Sequence, residues 1–183
     1  MLRNKKLIIS IVLLILTVAI ATGTTVAYLT ASTGSVENVF TIGDVEITLA
    51  ETTGVDYSMI PGKTIKKDPV VTVIGESEDA WIYIEAIKSR EFDDYLSFEI
   101  ADGWHELDGH PGVYYRSYVK AIGDTYFDVI KDNAVIVSDS LTEEKMSDFA
   151  TVPKLSFKAY AIQDHDIDSA LRGWLLLREE AER

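Results

Sequence analysis

The chain has 183 residues, no cysteine, and 30 acidic against 17 basic residues, a formal net charge of −13. Without cysteine, disulfide staples and thiol catalysis are excluded, and any domain must be held by its hydrophobic core alone. The acidic excess argues against nucleic-acid phosphates and anionic lipid heads as partners, and the length fits one domain with a full-sized core.

Arg3, Lys5 and Lys6 make a positive start, Leu7 to Ala21 is apolar apart from Ser10 and Thr17, and Thr25-Val26-Ala27 ends in small residues. That order is the pattern of an export signal, with residues 1–27 removed by one cut after Ala27, Thr25 and Ala27 being the small residues ahead of it and Tyr28 the new first residue. A retained anchor from Leu7 to Leu29 is the alternative, against which the polar and glycine residues Thr22 to Thr25 argue. In both cases the positive end stays inside, residues 28–183 lie outside the cytoplasm, and contact with the membrane ends at cleavage. Cleavage removes three basic residues and no acid, so the remainder is more acidic still. Solubility is the plain reading of that charge, and binding of divalent cations in a wall or matrix the sharper one.

Residues 28–38 are rich in Ser, Thr and Gly, and are expected to be a flexible segment in an isolated monomer. From Val36 an alternation begins, with Val36, Phe40 and Ile42 on one face. After Gly43-Asp44 the apolar set moves to Val45, Ile47 and Leu49. Side chains alternate with period two, so this change of phase predicts a bend at Gly43 and one run serving two sheets. Lys63 to Ile74 is predicted to begin at a sheet edge because Pro69 lacks an amide donor, with Lys66 and Lys67 guarding that edge. Ala80 to Ile87 is apolar or aromatic on both faces, which suits a central strand. Leu96, Phe98 and Ile100 alternate with Ser97 and Glu99 as a half-buried strand.

Asp102-Gly103 and Asp108-Gly109 bracket a short strand from Trp104 to Leu107. Val113 to Ala121 is a Tyr-rich strand, with Gly123-Asp124 as a hairpin turn into Tyr126 to Ile130 and Asp132-Asn133 as a turn before Ala134 to Val137. Ser140, three residues before Glu143, predicts a capping box on a short helix. Leu155, Phe157, Ala159 and Ala161 alternate as the last strand of a β domain spanning residues 39–163. In the tail, residues 164–183, the period becomes helical through Ile167, Ala170, Leu171, Trp174 and Leu175. Gly173 costs that helix about 1 kcal/mol relative to alanine, and Glu179, Glu180 and Glu182 oppose its dipole, so it frays unless Trp174 docks. Short strands separated by turns predict an all-β fold, an antiparallel sandwich or barrel.

Three blocks carry a family resemblance. Gly23-Thr24-Thr25-Val26-Ala27-Tyr28-Leu29-Thr30 with Val39-Phe40-Thr41-Ile42-Gly43-Asp44-Val45-Glu46-Ile47-Thr48-Leu49 resembles the start of the TasA and camelysin family of Gram-positive bacteria. Ile60-Pro61-Gly62-Lys63-Thr64-Ile65 with Asp68-Pro69-Val70-Val71-Thr72-Val73 is similar to its second block, and Ala159-Tyr160-Ala161-Ile162-Gln163 to its closing strand. Asp93 to Asp148 matches nothing in it. The resemblance implies a signal cut by a SipW-type peptidase, a secreted jelly-roll β-sandwich, and a part in building biofilm matrix fibres.

The camelysin side of the family implies a metallo-endopeptidase, which draws attention to His105-Glu106-Leu107-Asp108-Gly109-His110. A zinc-protease motif sets its histidines four apart on a helix. Here they are five apart and interrupted by Asp108-Gly109, so the reading is a polar hairpin tip. Asp164, Asp166 and Asp168 take the first, third and fifth places of a calcium loop, but Ser169 replaces its glycine and Leu175 its final acid. N-capping of the last helix accounts for at least one of these aspartates without metal. No nucleophile motif or phosphate loop is present, and no cofactor is called for.

The expected function is therefore structural rather than enzymatic: a secreted matrix protein that associates with itself and with matrix or cell-wall components. The expected mechanism is strand donation, with Tyr28, Leu29, Val36, Val39 and Phe40 in the segment that adds to a neighbour's sheet edge. A monomeric cell-surface binding module is the alternative, and a camelysin-like peptidase the third reading.

Overall fold

The structure, a computed structural model, describes residues 30–32, 39–53, 56–147 and 152–181. Its first strands are β1 (Thr30–Ser32), β2 (Val39–Ile42), β3 (Ile47–Glu51), β4 (Asp56–Ser58), β5 (Thr64–Lys66) and β6 (Pro69–Val73). β7 (Ala80–Lys88), the short helix α1 (Phe92–Tyr95), β8 (Leu96–Ile100), β9 (His105–Glu106), β10 (Val113–Tyr118) and β11 (Thr125–Asp128) follow. The chain continues through β12 (Ile130–Val137), α2 (Glu143–Ser147), β13 (Leu155–Gln163) and α3 (Ala170–Ala181).

A five-stranded sheet runs in the order β2-β13-β7-β10-β9, antiparallel throughout except that β2 lies parallel to β13. Two three-stranded sheets run β11-β6-β3 and β5-β12-β8, and β1 pairs with β4. The two three-stranded sheets are halves of one bent layer. β11 pairs with β6 from Thr125–Val73 to Asp128–Val70, and β12, next along the chain, pairs with β5, just ahead of β6, from Ala134–Lys66 to Ile136–Thr64. Between them Val129 N–H donates to the Pro69 carbonyl at 3.0 Å and Lys67 N–H to the Asn133 carbonyl at 2.9 Å.

Periodicity explains where the core sits. Val45, Ile47 and Leu49 meet Val71, Val73, Val135 and Val137 from the bent layer and Ile82, Ile84, Phe157, Ala159 and Ala161 from the five-stranded sheet, all buried in one cluster. The opposite face of the five-stranded sheet offers Tyr83, Tyr160 and Ile162, and α3 covers them with Ala170, Trp174 and Leu177. The tail helix is thus docked through Trp174, the condition its sequence set.

The bend at Gly43 is present: β2 belongs to the five-stranded sheet and β3 to the other layer. Gly43 sits at φ +87°, and a Cβ there would meet Gln163 Cβ at 2.7 Å, so both conformation and space require glycine.

Several local expectations are corrected. The run from Lys63 does begin at an edge, with β5 and its exposed Lys66 outermost in β5-β12-β8, but Pro69 marks no edge: it opens the central strand β6, as a first residue that costs no ladder donor. Lys67 guards no edge; it is buried and ion-paired to Glu51 at 2.7 Å. Gly123-Asp124 joins β10 to β11 in different sheets, so it is a crossing between layers and not a hairpin. Asp132 and Asn133, at φ 55° and 54°, form a bulge inside β12, where pairing with β8 shifts register between Ile130 and Val135. The cap of α2 is Thr142, whose hydroxyl accepts from Lys145 N–H at 3.3 Å, and not Ser140.

Candidate assembly site

β13 is where the first and last parts of the domain meet. β7 pairs antiparallel along all 9 of its residues, whereas β2 pairs parallel along 4, from Val39 opposite Ala159 to Ile42 opposite Ile162. Parallel pairing is slightly the weaker per residue. Phe40 stacks on Tyr160 with ring centres 5.4 Å apart, yet keeps 41% of its surface in solvent. β2 is accordingly a short, half-exposed strand at the rim of an otherwise antiparallel sheet.

Behind it lies an aromatic cluster. Trp174 meets Tyr160 edge-on at 5.1 Å and Tyr83 at 5.6 Å. The Tyr160 hydroxyl donates to Glu85 Oε2 at 2.8 Å; burial foremost, and then this carboxylate, push its pKa up to about 12. The Tyr83 hydroxyl donates to the Ala170 carbonyl at 2.7 Å, and burial raises its pKa well above the ordinary phenol value. α3 comes this close because residue 173 is glycine: a Cβ there would collide with the Tyr83 hydroxyl.

Of the residues assigned to donation, Val39 and Phe40 are paired within their own sheet as part of β2. Thr30–Ser32, inside the same N-terminal segment, pairs antiparallel with Asp56–Ser58. Thr25, Ala27, Tyr28, Leu29 and Val36 lie outside the described residues.

The histidine segment is strand and turn. His105 and Glu106 form β9, and His110 N–H donates to the Leu107 carbonyl at 3.0 Å to close the turn at Asp108-Gly109. The two imidazoles face different rings, His105 against Tyr115 at 5.7 Å and His110 against Trp174 at 6.3 Å. Asp164, Asp166 and Asp168 are exposed, and the hydroxyl that accepts from Arg172 N–H at 3.3 Å to cap α3 is that of Ser169, not one of the aspartates. Among the described residues no three His, Asp or Glu side chains converge as a metal cage.

Sequence reasoning missed Asp68, whose carboxylate gathers Thr52 and Thr53 and pins the loop after β3 to the start of β6. Its signal was faint, a Thr-Thr pair well ahead of an Asp-Pro step. No protein-family profile, curated protein or solved structure matches the chain.

Proposed function

We propose that this chain is an exported structural protein of an extracellular matrix, and that it assembles by passing its N-terminal segment to a neighbouring copy. The observation that carries the proposal is the parallel placement of β2 at the rim of β13. A 4-residue strand held on one side, with Phe40 half in solvent, is the part of the sheet most easily exchanged for the same strand of another copy. In this reading the rotation between head-to-tail copies does not close on itself, so the contacts extend into filaments rather than rings. In this reading the two facing layers are the halves of a jelly-roll-like β-sandwich, a SipW-type peptidase releases the donor by cutting before Tyr28, and Tyr28 to Phe40 is the donated stretch.

A second reading, a monomeric surface module, draws on the same strand: β2 already covers its own β13, with Phe40 seated on Tyr160. The test of release is mass spectrometry of the exported product. A chain beginning at Tyr28 is expected, and a product that keeps residues 1–27 would remove donation and leave the anchored module.

A further inference from the structure

The registers of the bent layer carry three polar residues inward at one level. Leu49 pairs with Val71 and Glu51 with Pro69, so Glu51 keeps the inward phase of Ile47 and Leu49. Lys67 keeps the inward phase of Pro69 and Val71, and the residue is buried. Val135 pairs with Ile65, and two residues further along this ladder Lys67 N–H donates to the Asn133 carbonyl at 2.9 Å. Lys67 and Asn133 therefore stand opposite each other on neighbouring stretches of chain, where Cβ atoms come within about 5 Å. Ala134 and Ile136 take the outer face, with Ile136 exposed to solvent.

The three side chains form a nucleophile, a proton acceptor and a carbonyl centre. Lys67 Nζ lies 2.7 Å from Glu51 Oε2, and Glu51 Oε1 accepts from the Thr53 hydroxyl at 3.0 Å, which fixes the carboxylate. Both side chains are almost dry, with 6% and 11% of their surface in solvent. The Oδ1 atom of Asn133 is buried and accepts no hydrogen bond, in a residue held at φ 54° by the β12 bulge. A buried ion pair and an orphaned amide oxygen each cost stability, and packing gives no reason to set them side by side. A reaction between them does give one.

We propose that Lys67 and Asn133 join in the folded chain through an isopeptide bond, with Glu51 as the base. Glu51 takes one proton from the Lys67 ammonium, which frees the Nζ lone pair as a nucleophile. That lone pair attacks Asn133 Cγ and forms the new C–N bond. The Cγ–Nδ2 bond breaks, a second Nζ proton passes to Nδ2, and ammonia leaves. The products are one secondary amide, a carboxylic acid at Glu51 and ammonia, so the step needs no oxidant, reductant or co-reactant. It also removes the buried charge pair. Holding the amine and the amide opposite each other in a rigid sheet supplies the orientation that makes so slow an aminolysis feasible. The bond ties the start of β6 to β12, across the joint between the halves of the bent layer. A chain without cysteine thereby gains a covalent staple that no disulfide can supply. It forms within one copy and requires no release of β2, so it stands apart from the fibre reading.

The experiment is the intact mass of the folded full chain, followed by tryptic digestion and fragmentation of the peptides. The wild-type chain is expected to be lighter than its sequence by one ammonia, and to yield one branched peptide in which Lys67 is joined to Asn133. Lys67→Arg and Asn133→Ala are expected at full mass, and Glu51→Gln at full mass with native circular dichroism. A folded wild-type chain at full mass overturns the proposal. Ammonia loss that persists in Lys67→Arg also overturns it, because it would then belong to a cyclic imide of Asn133 rather than to a bond with lysine. The branched peptide appearing in Glu51→Gln overturns the part given to Glu51. Wild type and Lys67→Arg decide the bond itself even if Glu51→Gln does not fold.

Discussion

Asp68 accepts hydrogen bonds from both amides and both hydroxyls of Thr52 and Thr53, at 2.5 to 3.0 Å. Burial alone would raise its pKa, but these bonds outweigh it and hold the carboxyl well below the usual range. A carboxylate whose folded pKa lies below its unfolded value of about 4 contributes fully above that value and loses the contribution as pH falls through the folded pKa. Urea unfolding should therefore find Asp68→Asn less stable than wild type by a steady margin from about pH 5 to 7, closing below about pH 4. A margin that ignores pH would contradict this role. Gly173 is a second residue whose purpose is spatial. Helix propensity alone favours alanine there by about 1 kcal/mol. The collision with the Tyr83 hydroxyl runs the other way, so Gly173→Ala is expected to cost about 1 to 3 kcal/mol and loosen Trp174. A raised melting temperature with unchanged tryptophan fluorescence would show that α3 does not need this close approach. In the sequence Gly173 reads only as a flaw in a helix; its reason is a tyrosine 90 residues away, which no local pattern carries.

Among the elements, β2 is the one on which the proposed assembly turns. Short, parallel and at the rim, its amides are predicted to exchange hydrogen faster than those of β13 and β7, which pair along their whole lengths. Equal protection of all three strands would mean that β2 is not exchangeable. The strands themselves were legible where the alternation is long: the bend at Gly43, the central β7, the final β13 and the amphipathic α3 all follow from period. What each turn connects was not. Gly123-Asp124 has the residues of a hairpin and makes a crossing between layers, and Asp132-Asn133 has the residues of a turn and makes a bulge. Both are satisfied by the same left-handed backbone, so local chemistry cannot tell a reversal from a kink; partners distant in sequence decide.

For the whole molecule, composition and turn spacing read correctly as a β-rich fold without disulfides, and the parallel pairing of β2 was invisible because nothing in a strand's sequence names its partner. Of the residues assigned to donation, the structure places Val39 and Phe40 in the outermost strand of their own sheet, with Phe40 stacked on Tyr160, and that partner was not legible in the sequence. Strand donation remains the claim from which the molecular picture hangs, and electron microscopy of the exported chain beside a version lacking residues 28–38 tests it most directly. Fibres from the intact chain and single particles from the shortened one are predicted; fibres in equal number from both would contradict it.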